Sequence, residues 1–229
     1  MTISIIIPTY NEAAHIERLL TYLQQHTQAE ILVANSPNIR DQTAAKAAAM
    51  GVRVLNCPVA GRAQQMNYGA AQTQSEVIYF VHADTLPPAS FLQDIAQSLE
   101  QGYDLGYFSY CFDSNSWLLR INGYCTRFDG LFAGGGDQTL FIKRNTFEQL
   151  GGFREELYIM EDFDLVKRAK KAGFKQHLIT NDALVSARKY EKNSWLWVNI
   201  VNLSVFALFH LGVSQERLFA TYRQLLRMD

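Results

Sequence analysis

The sequence predicts an α/β fold: an open, Rossmann-like, mostly parallel sheet, joined to an α+β half and finished by helices. Three observations carry that expectation. Short β-branched runs alternate with helical patterns over roughly the first 100 residues, as parallel strands do when linked by right-handed crossovers. From Leu105 the rhythm changes to aromatic-rich, strand-like pieces broken by glycines. Of the 229 residues 48% are hydrophobic and 19% charged, enough for a substantial core in one domain.

Ile3 to Ile7 is β-branched and stops at Pro8, as a buried strand does before a loop. Ile16, Leu19, Leu20 and Leu23 keep the spacing of an apolar helix face, for which Asn11 is the expected cap. A second strand is expected at Ile31 to Ala34. An alanine-rich helix then runs from a cap at Asp41 to Met50 and stops at Gly51, and Val52 to Leu55 is a third strand. Gly61 to Ala71 reads as helix and Val77 to Val81 as a fourth strand, while Ser90 opens a helix with Phe91, Leu92, Ile95 and Leu99 on one side. The second half is expected to hold a strand at Thr139 to Ile142, a short helix ending near Gly151, and a helix from Asp162 to Ala172 closed by Gly173. Strands follow at Phe174 to Ile179 and Ala183 to Lys189, then helices at Ser194 to Leu211 and Ser214 to Met228.

With 21 basic against 22 acidic side chains the formal charge is -1, so no global field attracts a polyanion and no nucleic-acid partner is expected. Cys57, Cys111 and Cys125 lack C-x-x-C spacing, which argues against a disulfide framework or cysteine zinc site and fits a reducing compartment. The N-terminal apolar run is too short, and lacks the basic flank, for a signal peptide or membrane span. A cytoplasmic protein is expected.

Ligands of open α/β sheets bind at the carboxyl ends of the strands, and polar clusters fall there. Pro8-Thr9-Tyr10-Asn11-Glu12 follows the first strand, where a turn with a helix cap explains it equally well. His82-Ala83-Asp84-Thr85 follows the fourth strand, where a carboxylate meets a phosphate-bearing divalent cation or caps a helix. Met160-Glu161-Asp162-Phe163-Asp164 opens a helix with more carboxylates than a cap and a helix dipole require, which leaves room for a general base. Gly134-Gly135-Gly136-Asp137-Gln138 precedes a strand and suits either close backbone approach to a ligand or a simple turn.

In this order and spacing the residues resemble the family 2 glycosyltransferases, whose fold is of the GT-A type, from residue 3 to about residue 190. Pro8, Tyr10, Asn11 and Glu12 match the family's opening P-x-Y-N-E stretch, which lines the nucleotide pocket. His82-Ala83-Asp84 falls at the D-x-D metal motif, and Glu161-Asp162 at the E-D pair that supplies the base. The resemblance implies Asp84 as ligand of a divalent cation (Mn2+ or Mg2+), Asp162 as the base and Glu161 as an aid in placing the acceptor. The string Gly61-Arg62-Ala63-Gln64-Gln65-Met66-Asn67-Tyr68-Gly69-Ala70, with Val81 to Thr85, is similar to a small bacterial branch of transferases associated with radical-SAM and selenium-domain proteins. Arg62 and Asn67 enter as candidate substrate contacts, although Arg62 also suits a solvent-facing helix side. Asp137 in the glycine run is another candidate, as is Arg188, where many relatives carry a basic residue over the donor diphosphate.

The sequence departs from that family twice. Asn35-Ser36-Pro37-Asn38-Ile39-Arg40-Asp41-Gln42-Thr43 keeps Asp41 and Thr43 of the second loop but puts Ser36 or Asn35 where a base-reading aspartate belongs, removing a carboxylate acceptor. His82 replaces the first aspartate of D-x-D; a core role for its ring is preferred to metal ligation. The expected organisation is a GT-A domain at 1–190, split into a nucleotide-binding half at 1–100 and an acceptor half at 101–190, with a helical extension at 191–229. Its expected activity is inverting transfer of a sugar from a nucleotide-diphosphate donor to a hydroxyl acceptor, a lipid-linked one among the candidates. The alternative is a catalytically silent nucleotide-sugar or lipid-binding protein. Asn199, Asn202 and Ser204 interrupt the apolar run from Trp195 to Leu211, which reads as an amphipathic helix suited to packing on the domain, pairing with a second chain, or peripheral contact with the inner membrane face. Arg217, Arg223 and Arg227 suit anionic lipid or solvent.

Overall fold

The computed structural model describes residues 1–130 and 133–226. Among these residues eight strands form one mixed, mostly parallel sheet in the order β3-β2-β1-β4-β7-β6-β8-β5. β1 (Ile3–Thr9), β2 (Glu30–Asn35), β3 (Arg53–Asn56) and β4 (Val77–Phe80) are mutually parallel and make the predicted doubly wound half. β7 (Leu140–Lys143) runs antiparallel between β4 and β6 (Leu105–Phe112). β6 pairs in parallel with β8 (Gln176–Val185), and β5 (Thr85–Leu86) closes that edge.

Strand alternation sorts side chains into two cores. Ile3, Ile5 and Ile7 of β1, with Val77 and Tyr79 of β4, face α1 (Ile16–His26), α2 (Thr43–Ala49) and α4 (Phe91–Glu100). Ile6, Ile78 and Phe80 face α3 (Arg62–Ala71), together with residues of α6 (Arg144–Gln149) and α7 (Glu161–Lys171). Gly69 lets α3 settle on β1, since a Cβ there would lie 2.6 Å from Ile6 Cγ2. A third cluster gathers Val198, Val201 and Val205 of α9 (Trp195–His210), Leu218 of α10 (Gln215–Leu225), and Ile159, Met160 and Tyr190 beside them.

Several boundaries differ from the sequence expectation. Asn11 does not cap the first helix; it sits at φ 55 and accepts a hydrogen bond from the Arg40 amide, while α1 begins after His15. Asp41 lies one residue before the α2 cap position Gln42, yet its Oδ1 still receives the Thr43 amide. The expected strands at Phe174 to Ile179 and Ala183 to Lys189 are one strand, β8, which takes in Thr180 to Asp182 because it pairs with β6 on both sides of an irregularity between Phe108 and Tyr110. After Val185 the chain turns into α8 (Arg188–Glu191) instead of continuing as strand. The aromatic region holds a helix, α5 (Trp117–Cys125), where only strand-like pieces were expected. α9 is apolar on two sides, with Val198 and Val201 buried and Leu196, Ile200 and Leu203 exposed, so its three polar residues do not define a solvent face. Met228 and Arg227 lie outside the described residues.

Candidate active site

The loops at the carboxyl ends of β1 and β4 meet the segment after β8 through one guanidinium. Arg188 donates to both carboxylate oxygens of Glu12, at 3.0 and 2.9 Å, and its Nη2 lies 3.0 Å from Asp84 Oδ2. Such a planar fork matches a carboxylate at two points. His15 Nδ1 adds a 3.1 Å contact to Glu12 Oε2. The backbone closes the same junction, the Ser186 amide donating to the Asp84 carbonyl at 3.1 Å.

Deeper in, the three acidic residues at the start of α7 have separate fates. Asp164 is taken by Arg154 (3.2 Å) and Arg168 (2.7 Å), which ties the helix to its own surroundings. Glu161 is fully buried and paired with Arg62 of α3, while its Oε2 has no hydrogen-bond partner. Asp162, 4% exposed, makes no ion pair among the described residues. Burial first, then the Glu161 charge, raises its pKa far above the ordinary carboxylate range; Arg62 opposes that rise. A carboxyl so placed keeps its proton to higher pH than an exposed one.

The glycine run closes over this carboxyl. A Cβ on Gly136 would lie 2.7 Å from Asp162 Oδ2 and 2.4 Å from His82 Cε1, so Asp162 and His82 converge on a space kept open by glycine. Gln138 ties the run back, its Oε1 accepting from the Gly134 amide at 2.6 Å. Burial, and then the Arg62 charge, lower the His82 pKa and favour a neutral ring. Asp137 contributes its negative field to Arg62, His82 and Asp162.

Among the described residues three non-glycine residues have positive φ, Asn11 (55), Thr139 (50) and Met160 (67), and each adjoins this region. Such backbone is costly, above all for a β-branched residue, and persists only where neighbours over-determine it. Tyr79 OH holds Thr139 Oγ1 at 2.9 Å, and the third core holds Met160 directly before Glu161 and Asp162.

The structure thus gathers Glu12, Asp84 and Arg188 into one cluster and Arg62, Asp137, Glu161 and Asp162 into the adjoining one. Pro8 is buried within β1, and Tyr10 is 54% exposed on the following loop. Ser36 is buried, its hydroxyl turned to the Asn38 amide. Asp41 Oδ2 receives the Ala13 amide at 2.8 Å and so fixes the loop after β1. Asn67 is spent elsewhere, donating to the Phe153 carbonyl at 2.8 Å and accepting the Phe153 amide at 2.9 Å. Sequence reasoning missed Gln65, whose Nε2 bridges the carbonyls of Thr9 (2.8 Å) and Ala34 (2.6 Å) at the carboxyl ends of β1 and β2. It also missed Gln138 and Met160; a polar residue on an otherwise buried helix face was the one available signal, for Gln65.

No sequence match to a protein of curated function is found. Solved structures match in fold. A mannosyltransferase, PcManGT, from Pyrobaculum calidifontis in complex with GDP-Man and Mn2+ superposes with a TM-score of 0.68 at 16% identity, covering 92% of this chain and 63% of that one. S. aureus TarS 1-349 in complex with UDP-GlcNAc gives 0.66 at 16% identity, with coverage of 98% and 71%. Glucosyl-3-phosphoglycerate synthase from Mycobacterium tuberculosis, in complex with Mn2+, UDP and phosphoglyceric acid, gives 0.62 at 17% identity, with coverage of 98% and 78%. The chain therefore spans under two thirds of the Pyrobaculum structure while sharing its GT-A fold. At the sequence level the model of "Glycosyl transferase family 2" matches residues 4–158. That match takes in both strand-end loops, Arg62 and the glycine run, and the chain belongs to glycosyl transferase family 2.

Proposed function

We propose that the protein transfers a sugar from a nucleotide-diphosphate-sugar to an acceptor hydroxyl with inversion, Asp162 acting as base. The observation that carries this reading is the separation of the α7 carboxylates: Asp164 and Glu161 are neutralised by arginines, whereas Asp162 is buried, without an ion pair among the described residues, and raised in pKa. The donors in the similar structures, GDP-Man and UDP-GlcNAc, support the donor class. The resemblance to the small bacterial branch carried by Gly61 to Ala70 names no substrate.

In this reading Asp162 takes the proton of the acceptor hydroxyl. The oxygen attacks the anomeric carbon as the bond from that carbon to the diphosphate breaks, and a single displacement inverts the centre. Arg62, 39% exposed in its side chain, carries its remaining positive field toward the leaving diphosphate, while Glu161 fixes its orientation. No cluster of three or more His, Cys, Asp or Glu able to hold a metal occurs among the described residues. Asp84, 18% exposed and already paired with Arg188 through Oδ2, would offer a cation one carboxylate oxygen, the remaining ligands coming from diphosphate and water. A divalent cation held there would neutralise charge on the leaving group.

The test is Asp162→Asn. Turnover should fall by roughly 10²–10⁴-fold, the usual contribution of a positioned base, with donor affinity nearly unchanged. Loss of donor binding in a folded variant would reject the role. Melting curves with UDP-, GDP-, CMP- and dTDP-sugars, with and without Mn2+, identify the donor, since a ligand of the native state raises Tm; Asp84→Ala should abolish the Mn2+-dependent part of that rise.

A further inference from the structure

Arg188 already holds the carboxylate that a cation would need. Its Nη2 lies 2.9 Å from Glu12 Oε1 and 3.0 Å from Asp84 Oδ2, so one nitrogen stands between the two carboxylates. Its Nη1 donates to Glu12 Oε2 at 3.0 Å, with His15 Nδ1 3.4 Å away. A guanidinium that grips one carboxylate at two points and touches a second neutralises charge much as a bound ion does. Little in the strand-end motif competes with it, because His82 stands two residues before Asp84 where a second carboxylate would strengthen a cation site. A dication on the remaining oxygen of Asp84 would stand beside the guanidinium and be repelled by it, so the two cations exclude one another.

The contact is placed to open. The Arg188 side chain is 44% exposed, against 15% for Glu12 and 18% for Asp84, so the fork reaches solvent by side-chain rotation. An ion pair with one partner so exposed is weak enough to be exchanged. The backbone around it is pinned. The Ser186 amide holds the Asp84 carbonyl on one side, and on the other Lys189 Nζ lies 5.8 Å from the centre of the Tyr222 ring while Tyr190 packs edge-on against Phe112 at 5.3 Å.

The geometry points to Arg188 as an internal competitor of the divalent cation: it closes Asp84 in the resting protein and must release it before a cation binds there. This inference rests on the reading of Asp84 as the carboxylate for that cation. The apparent cation affinity is then the intrinsic one reduced by the fraction of molecules in which Asp84 is open. A donor diphosphate favours the exchange from both ends, its oxygens serving the cation and accepting from the released fork.

Mn2+ binding to the full chain without nucleotide, read as loss of the free-ion signal in electron paramagnetic resonance, tests it. Arg188→Ala should bind Mn2+ at least about tenfold more tightly than wild type. Arg188→Lys, which keeps the charge but not the two-point grip, should fall between the two. Adding Asp84→Ala to Arg188→Ala should abolish the gain. Unchanged or weaker Mn2+ binding by folded Arg188→Ala would overturn the competition, and loss of Mn2+ binding in Asp84→Ala would then leave the reading of Asp84 standing. Arg188→Lys binding no more tightly than wild type would also overturn it, since the field of the charge and not its seat on Asp84 would explain the gain. A gain that survives Asp84→Ala would reject Asp84 as the ligand and the inference with it.

Discussion

Asp162 links function to stability at the scale of one side chain. Its folded-state pKa lies above that of the unfolded chain, so between the two values the folded state binds the extra proton and stability falls as pH rises. Below the ordinary carboxylate range both states are protonated and the penalty disappears. Asparagine mimics the neutral acid and removes the charge facing Glu161. Asp162→Asn should therefore be more stable than wild type by about 1–3 kcal/mol near pH 7.5, a gain that vanishes near pH 4 in thermal melts at the two pH values. The same property shapes the rate: kcat/KM should rise with pH along a limb whose midpoint lies well above the usual carboxylate range, and a limb at the ordinary value would remove Asp162 as the base. Gly136→Ala tests the adjoining space. The new Cβ would press on His82 Cε1 and Asp162 Oδ2, so turnover should fall and the melting temperature with it, by the equivalent of about 1–3 kcal/mol for the displaced side chains, although the 3-10 turn at Gly136–Gln138 accepts alanine conformationally.

At the scale of elements, α3 serves as a brace under the donor loops. Gln65 is buried and its amide bridges the Thr9 and Ala34 carbonyls, so Gln65→Leu removes a donor from both, the Thr9 carbonyl keeping only the Ser36 amide. A loss of about 1–3 kcal/mol is expected by urea denaturation, accompanied by a higher donor KM, since both strand ends lose the contact that fixes their loops. The first half of the sheet was legible because β1 is a β-branched run, its other strands are short apolar stretches, and α1 has a clear apolar stripe in Ile16, Leu19, Leu20 and Leu23. α5 was not legible: its apolar residues lie on the exposed side, and its buried face is no more than Leu119 and Gly123. β8 was split because Thr180, Asn181 and Asp182 are polar in sequence, yet Ser109 and Arg127 bond Asp182 and Ser90 bonds Asn181, which carries the strand through. The positions of Glu161 and Asp162 followed from motif order, whereas the arginine that neutralises Glu161 comes from 99 residues earlier in the chain and is a product of tertiary packing.

At the scale of the whole molecule, the C-terminal helices act on the carboxylates through the loop before α7. Gln215 of α10 accepts the amides of Tyr158 (3.1 Å) and Ile159 (3.3 Å), Phe206 of α9 packs edge-on against Phe163 at 5.4 Å, and Met160 lies against the third core at a φ of 67. Met160 cannot relax from that conformation while the cluster is filled, and its strain sets the direction in which α7 starts, hence where Glu161 and Asp162 point. Removing volume from the cluster should therefore reach the chemistry without touching it. Leu218 is fully buried there, and Leu218→Ala should cost about 2–5 kcal/mol in equilibrium unfolding. Under conditions where the variant is folded, kcat should fall more than donor affinity, because Glu12 and Asp84 lie at strand ends away from this cluster and grip the Arg188 guanidinium, whose helix touches the cluster only through its neighbours Lys189 and Tyr190. Leu218→Met, which refills the volume, should restore kcat. Equal loss of kcat and donor affinity would show instead that the C-terminal helices support the domain as a whole and do not aim its carboxylates.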